Sequence, residues 1–333
     1  MPDILSVTDR SVVEVKGKDT LKFLQALCTS DLSELPNPVR VTAFLSPKGR
    51  VISECFLYGR RDLDSGEDSV LIETASEGAV QLLQSLKLYK LRSKVKIAAV
   101  QDTEVVLLRP QKGGAAQAEA TTPEMLAASA SLSGDIMAAA WDPRVPDFGV
   151  RVIMEVGDGS GHATDSSGDE YTSYRIARGI AEGAELANMI PLECNMDLLS
   201  HVDFRKGCYV GQELVARTKF KGVVRKRVVP FVCIGDERPR GAMDFVRDEK
   251  SDKDEHRAVT KAVVGDKVHN VDGKASGSII SLSSDRTSGL ALVRLATITG
   301  DGGAALSAGD DVLVPFRPLW WPDVDPITEK PLY

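Results

Sequence analysis

The chain has 333 residues, of which 43% are hydrophobic and 27% charged, a composition that suits two or three domains with ordinary cores and surfaces. Its formal net charge of −7 argues against a protein whose main work is to bind nucleic acid. No apolar run reaches about 18 residues, so we expect no segment that spans a membrane.

The first third of the chain alternates strand and helix patterns. Strands are predicted at residues 12–15, 41–45, 51–58, 69–73, 95–100 and 104–108. Asp19 is a candidate N-cap for a short helix, and residues 77–86 show helical periodicity. Because strands, hairpin turns and helices follow one another here, the sequence predicts an α+β layer.

Two polar stretches lie in the middle of the chain. Residues 111–130 are rich in Ala, Gly, Gln and Thr, and residues 157–168 are rich in Gly, Ser and Asp. Both are predicted to be surface insertions with little regular structure. A helix is predicted at 171–179, with Ser173 as a candidate cap, and a short helical turn at 195–199.

After residue 225 the pattern changes to short apolar runs. Strands are predicted at 227–232, 258–263, 275–282, 289–295 and 311–315. Residues 236–257 contain eight acids and six bases and are predicted to form a solvated loop. Short strands with Gly-rich turns are typical of a small closed barrel. We therefore divide the chain into an α+β region, 1–227, with two interleaved subdomains, and a β-barrel domain, 228–333.

The five cysteines are scattered, odd in number and without a C-x-x-C pair. They are Cys28, Cys55, Cys194, Cys208 and Cys233. This pattern fits neither a disulfide framework nor a zinc site, and it indicates a reducing compartment.

Charge is concentrated in one stretch, residues 200–230. It holds eight Lys or Arg and two acids, a local charge of +6, while the remainder of the chain carries −13. A basic island on an acidic protein indicates an anionic ligand or partner at that place. The alternative is an ordinary solvated strand pair.

The most informative segment lies inside this island, where residues 206–213 read K-G-C-Y-V-G-Q-E. It resembles the signature K-G-C-[FY]-x-G-Q-E of the YgfZ-like branch of the T-protein superfamily. Its motif residues are Lys206, Gly207, Cys208, Tyr209, Gly211, Gln212 and Glu213. The runs at 191–195, 214–218 and 222–227 are also similar to that family. The resemblance covers most of the chain.

The resemblance implies a T-protein-like, folate-binding α+β fold with a C-terminal barrel and a central channel. It also implies an iron–sulfur cluster assembly factor of the mitochondrial matrix, which would be a monomer when alone. No Arg-rich leader opens the sequence, since Asp3, Asp9 and Glu14 come early. We therefore expect a mitochondrial transit peptide to be absent from the sequence given.

The chemistry of Cys208 can also be read without the family. A thiolate is the reactive and metal-binding form of cysteine, and Arg205 and Lys206 directly precede Cys208. If residues 212–219 are helical, the helix N-terminus also favours an anion there. Three readings stay open: a cluster ligand, a redox or nucleophilic thiol, and a buried small hydrophobe. If Cys208 is a nucleophile, His201 is the one histidine close to it in sequence that could act as its base. The better interpretation of His201 is an ordinary exposed polar side chain.

Several positions depart from the folate-dependent enzymes of the superfamily. Ala177 stands where those enzymes carry the acid that binds the pterin ring, and Ser53-Glu54 stand where they carry an acid pair. We therefore expect tetrahydrofolate to bind weakly and classical catalysis to be absent. The residues that could clamp a folate carboxylate or another anion are Arg175, Arg178, Lys219 and Arg225.

Two functions are compared. The first is an assembly factor that acts late in [4Fe–4S] cluster formation with an A-type scaffold protein. In this reading Cys208 supplies a thiolate to a shared [2Fe–2S] cluster, because such clusters need about four ligands and this chain has no second local cysteine. The second is a folate-dependent aminomethyl or methyl transferase.

Overall fold

The structure, a computed structural model, describes residues 2–35, 39–61, 67–109, 122–130, 132, 134–157, 165–234, 258–297 and 305–323. The chain forms two compact units that interleave in sequence. The first comprises Met1–Tyr171, Glu182–Pro191 and Met196–Ala216, and the second comprises Thr172–Ala181, Leu192–Asn195 and Arg217–Tyr333. The domain boundary at residue 228 stays a prediction.

The first unit contains a five-stranded antiparallel sheet with the order β3-β4-β5-β2-β6. Its strands are β2 (Arg10–Lys16), β3 (Arg40–Leu45), β4 (Val51–Arg61), β5 (Asp68–Ala75) and β6 (Lys96–Val100). Helices α1 (Thr20–Gln25) and α2 (Ser76–Lys90) pack on one face of this sheet. The predicted strands and helices of this region are confirmed, except that the Asp19 side chain makes no cap bond. It accepts instead from the backbone N–H of Lys94 at 2.7 Å.

A second antiparallel sheet of the same unit has the order β1-β7-β9-β8. Its strands are β1 (Asp3–Ser6), β7 (Thr103–Arg109), β8 (Asp135–Trp141) and β9 (Val150–Glu155). Helix α3 (Pro123–Ser129) covers its apolar face, where Val106, Val152 and Met154 are buried. The prediction that 111–130 lacks regular structure is therefore wrong for α3, which Thr122 caps through its hydroxyl. Residues 110–121 lie outside the described residues.

Strand alternation decides what lies between the two sheets. On β4, Cys55 and Leu57 face the helices, while Glu54 and Phe56 face the second sheet. Neighbouring residues of a strand point to opposite faces of the sheet. A charged residue on the face that packs against the second sheet is therefore buried. The space between the sheets is consequently polar as well as apolar.

Helix α4 (Asp165–Ala177) begins earlier than predicted. Residues 165–168 were expected to be irregular and Ser173 to be the cap, but Ser173 lies inside the helix. Residues 158–164, the rest of that polar stretch, are outside the described part of the chain. Residues 195–199, predicted as a helical turn, lie in a hydrogen-bonded turn in which the N–H of His201 donates to the carbonyl of Met196 at 2.9 Å, directly after a 3₁₀ helix at Pro191–Cys194.

The second unit contains a closed antiparallel barrel with the order β10-β13-β12-β11-β14-β15, which confirms the predicted C-terminal barrel. Its strands are β10 (Lys226–Ile234), β11 (Lys267–His269), β12 (Ala275–Leu282), β13 (Ser288–Arg294), β14 (Leu306–Ala308) and β15 (Asp311–Pro315). The predicted strand at 258–263 is wrong, because the Asp311 carboxylate binds the N–H groups of Lys261 and Ala262 at 2.7 and 3.0 Å. The loop predicted at 236–257 lies outside the described residues.

Two tryptophans lie near the C-terminal end of the described part of the second unit. Trp320 and Trp321 stack with ring centroids 5.9 Å apart, and Trp321 is buried. The indole N–H of Trp320 donates to the carbonyl of Arg178 at 2.8 Å, after the end of α4. Among the described helices, none combines the length and the apolar character that crossing a membrane requires.

Candidate functional site

Cys208 is exposed, whereas Cys28, Cys55, Cys194 and Cys233 are buried. Burial raises the pKa of all four buried thiols, to about 12 for Cys55 and for Cys233. A thiol with a raised pKa and no access to solvent is a poor nucleophile and a poor metal ligand. Cys208 is therefore the one cysteine that can meet a partner or a metal at the surface.

The Cys208 loop, residues 203–210, is tied at both ends to residues 25–30, the end of helix α1 and the segment after it. The N–H of Asp203 donates to the carbonyl of Thr29 at 3.0 Å, and the N–H of Val210 donates to the carbonyl of Ala26 at 3.3 Å. Within the loop, the Asp203 carboxylate accepts from the N–H of Arg205 at 2.7 Å. The thiol thus projects from a loop whose two ends are held by one short segment.

Lys206 makes the strongest of these ties. Its ammonium donates to the carbonyl oxygens of Gln25, Cys28 and Ser30 at 2.7, 2.6 and 3.0 Å. The last carbonyls of a helix lack partners within the helix, and a lysine can satisfy them. All three donor positions of the ammonium are thereby used. Its charge also lies 5.0 Å from the centroid of the Tyr209 ring.

The sequence predicted that the ammonium of Lys206 lies beside Cys208. In the structure this ammonium binds backbone carbonyl oxygens instead. The sulfur 4.0 Å from the ammonium belongs to the buried Cys28. Burial lowers the pKa of Lys206, although Cys28, Asp31 and Asp203 oppose the shift. Arg205 is exposed.

The other motif residues shape the loop. A Cβ on Gly211, whose φ is +82°, would lie 2.5 Å from the carbonyl oxygen of Ser46, so glycine is required there. Gly211 thus lets two parts of the chain approach each other closely, whereas Gly207 faces open space. Gln212 accepts from the N–H of Tyr209 at 3.2 Å, and Glu213 is exposed.

Helix α5 (Gln212–Ala216) begins within the motif and is shorter than the span 212–219 considered from the sequence. From Arg217 to Lys221 the chain continues as a π-helical turn. A helix of five residues has a weak dipole, because few peptide units are aligned. Exposure and loop geometry, rather than the dipole, distinguish Cys208 in this structure.

Replacing Lys206 with methionine should lower the free energy of unfolding by about 1–3 kcal/mol, because three carbonyls lose a charged donor. Urea unfolding followed by circular dichroism measures the change. The matched control is Lys221→Met, which removes an exposed lysine and should change stability by less than about 0.5 kcal/mol. Equal effects of the two changes would show that the carbonyl contacts of Lys206 contribute nothing.

The four residues predicted to clamp an anion have different environments. Arg175 is buried and donates to the carbonyl of Ile180 at 3.0 Å. Arg178 lies 3.7 Å from the centroid of the Tyr174 ring. Lys219 is buried and Arg225 is exposed. Ala177, the position of the missing acid, is exposed at the end of α4.

His201, the base considered for Cys208, was expected to be exposed and is only 2% exposed. Burial and the nearby charge of Arg144 lower its pKa to about 3, although Glu182 opposes the shift. The ring is therefore neutral near pH 7. Its backbone carbonyl accepts from the hydroxyl of Ser30 at 2.8 Å, which ties residue 201 to the segment that holds Lys206.

A group that the sequence analysis missed is a buried ion cluster between the two sheets of the first unit. Its members are Arg10, Arg144, Arg151, Glu54, Glu73, Asp142 and Glu182. Arg10 joins two carboxylates, donating to Glu73 at 2.9 Å and to Glu54 at 3.2 Å. Arg144 binds Asp142 at 2.7 Å and also pairs with Glu182.

The surroundings shift the pKa values of two carboxyl groups of this cluster in opposite directions. Burial raises the pKa of Glu54, although the charge of Arg10 opposes the shift. Burial alone would also raise the pKa of Glu73, but Arg151 and Arg10 outweigh it and lower that pKa. The sequence signal is a charged residue inside an apolar strand, as in V-R-V-I-M around Arg151.

Comparisons with known proteins agree with this architecture. Residues 225–323 match the family described as CAF17, C-terminal beta-barrel domain. The glycine cleavage system aminomethyltransferase T from Bartonella henselae has the same fold, with a TM-score of 0.62 over 95% of this chain and 85% of that chain. The two share 12% sequence identity, so this likeness concerns the fold alone. The predicted T-protein-like fold is confirmed.

Two relatives are similar along most of their length, and each is named "Iron-sulfur cluster assembly factor IBA57 homolog, mitochondrial". The protein from Mycosarcoma maydis is 33% identical over 97% of this chain and 86% of its own length. The protein from Aspergillus fumigatus is 35% identical over 88% of this chain and 70% of its own length. The chain belongs to the IBA57 family of mitochondrial iron–sulfur cluster assembly factors.

Proposed function

We propose that this protein acts late in iron–sulfur cluster assembly, where Cys208 supplies one thiolate to a [2Fe–2S] cluster shared with an A-type scaffold protein. The broader role follows from its family: it is an iron–sulfur cluster assembly factor, and it is a mitochondrial protein. Within the mitochondrion we propose the matrix as its location. The cluster is cargo that passes between proteins.

The observation that carries the proposal is the exposure of Cys208. Of five thiols, it alone is open to solvent, and it lies in the segment that resembles a cluster-assembly signature. Sulfur is the ligand type that iron–sulfur clusters prefer. The loop that carries it is held by backbone bonds and by Lys206, so the thiol meets a partner in a defined position.

One thiol is not enough for a cluster, which needs about four ligands. Among the described residues, no three His, Cys, Asp or Glu side chains converge in a way that could hold a metal ion. We propose that the remaining ligands come from another protein. An A-type scaffold, which we expect to contribute several cysteines, meets this need.

A folate-dependent transferase is the alternative, and no contact in the described residues favours it. Ala177 occupies the position at which the folate-dependent enzymes carry the pterin-binding acid, and its methyl group accepts no hydrogen bond. The buried Arg175 is bound to a carbonyl of its own chain. We therefore propose that tetrahydrofolate binds weakly and takes no part in a reaction step here.

Restoring the acid tests this proposal. Ala177→Glu should strengthen tetrahydrofolate binding at least about tenfold, because a carboxylate regains hydrogen bonds of about 1.5–3 kcal/mol with the pterin. Isothermal titration calorimetry gives the dissociation constants. The control Ala177→Leu adds bulk without an acceptor and should not strengthen binding. Tight binding by the unaltered protein that survives Arg175→Ala would contradict weak folate binding.

The function itself is tested by mixing the protein with a cluster-loaded A-type scaffold protein. We expect a complex that elutes as one species in size-exclusion chromatography and keeps the visible absorption of a [2Fe–2S] cluster. A colourless complex, or no complex, would contradict the shared cluster.

A further inference from the structure

The π-helical turn and the residues after it, 217–225, form what we call the basic segment. Its exposed cations are Arg217, Lys221 and Arg225. Within the part of the chain that the structure describes, none of these three makes an ion pair with a carboxylate. The chain has 48 acidic and 41 basic residues, so acidic residues are plentiful and yet none pairs with these three cations in the described part of the chain.

The spacing of these cations is unfavourable in the isolated protein. They recur every four residues, at 217, 221 and 225, and no acid occurs anywhere between residues 214 and 234. Arg217 and Lys221 lie at the two ends of the π-helical turn, where like charges repel by a few tenths of a kcal/mol, whereas Arg225 follows that turn. A solvated surface usually avoids this by mixing both signs. An external anionic surface would turn the repulsion into attraction.

Apolar side chains lie between the cations. Phe220 is 53% exposed and Val223 is 76% exposed. Protein interfaces are enriched in aromatic residues and arginine, with apolar contacts at the centre and charges at the rim. The basic segment has this composition within nine residues of chain. A small anion or a solvated strand would need the cations but not the exposed Phe and Val.

We propose that the basic segment is a docking surface for a protein with an acidic patch, in which Phe220 and Val223 make the apolar contact and the exposed cations orient the partner. The proposal rests on the proposed function, since the partner it names is the scaffold protein that shares the cluster with Cys208. Docking and cluster ligation are then separate tasks of two segments that follow one another in the sequence. Opposite charges speed encounter and set orientation, and the apolar pair slows release.

The experiment separates docking from ligation by using cluster-free and cluster-loaded A-type scaffold protein. The docking variants are the double change Lys221→Glu with Arg225→Glu, and the single change Val223→Ser. The matched control is Lys267→Glu with Lys274→Glu, which reverses two other exposed cations in the same unit. Dissociation constants are measured by surface plasmon resonance at low and at high ionic strength.

We expect the double charge reversal to weaken binding of cluster-free scaffold at least about tenfold, with a smaller salt dependence. Val223→Ser should weaken it several-fold at both ionic strengths, and the control should bind like the unaltered protein. Cys208→Ser should still dock and should lose only the visible absorption of the cluster.

Three results would overturn the proposal. If both docking variants bind like the unaltered protein while Cys208→Ser loses the cluster, docking is elsewhere and the proposed function stands. If the unaltered protein does not bind the scaffold, the proposed partner fails, and this proposal fails with it. If the unaltered protein dimerises or binds duplex DNA, and the charge reversal abolishes that binding but not binding of the scaffold, the segment serves another partner.

Discussion

Replacing Arg151 with methionine is expected to lower the free energy of unfolding by about 3–5 kcal/mol, the cost of breaking a buried ion pair from one side. Methionine retains much of the volume but none of the charge. The loss is a large part of the total stability of an ordinary domain, which is about 5–15 kcal/mol. It is the largest stability effect that we expect from one substitution in this chain.

The size of the effect follows from the contacts of Arg151. Its guanidinium pairs with Glu73 and lies 3.6 Å from both Asp142 and Glu182. It also donates to the hydroxyl of Tyr171 at 2.8 Å. Because all of these groups are buried, water cannot replace the lost donor. The carboxylate of Glu73 would keep Arg10 as its remaining cation.

Arg109→Met is the matched control, since Arg109 pairs with Asp3 at 2.9 Å on the same sheet but remains partly exposed. Exposed ion pairs contribute about 0–1 kcal/mol, so this change should have a small effect. Urea unfolding of both variants measures the difference. If Arg151→Met is as stable as Arg109→Met, the buried ion cluster does not hold the two sheets together.

The sequence predicted most strands because their apolar pattern is local. Ala275–Leu282 and Asp311–Pro315 have the same bounds in the structure as in the prediction. The strand Leu306–Ala308 was missed, because three residues are too few to establish a period. Helix α3 was missed because the polar composition around it resembles an irregular insertion, although Thr122 is a good helix cap.

The candidate site was predicted only in part. The motif located Cys208, and the reading of this residue as a cluster ligand requires an exposed thiol. The role of Lys206 could not be predicted, because its carbonyl acceptors lie far from it in the sequence. The carbonyl of Cys28, for example, is 178 residues away. The pairing of Arg151 with Glu73 is also distant in sequence, and a charge inside a strand does not reveal its partner.

Cys208→Ser is expected to abolish the shared cluster and to leave the fold intact. Serine is nearly isosteric with cysteine, and the side chain at 208 is exposed, so the change buries no new polar group. A hydroxyl is a far weaker ligand for iron than a thiolate. The variant should unfold like the unaltered protein and should still dock on the scaffold.

The four other cysteines provide the controls. Serine at Cys28, Cys55, Cys194 or Cys233 places a hydroxyl in the interior and should cost about 1–3 kcal/mol of stability. Per folded molecule, each of these variants should carry as much shared cluster as the unaltered protein. This contrast separates loss of a ligand from loss of structure.

The most direct test is the visible absorption of the complex after size-exclusion chromatography, with cluster-loaded A-type scaffold protein and each cysteine variant in turn. The account predicts that Cys208→Ser elutes without cluster absorption, while the other four variants keep it in proportion to the folded protein. A stable coloured complex with Cys208→Ser would contradict the account, because Cys208 would then not be the ligand.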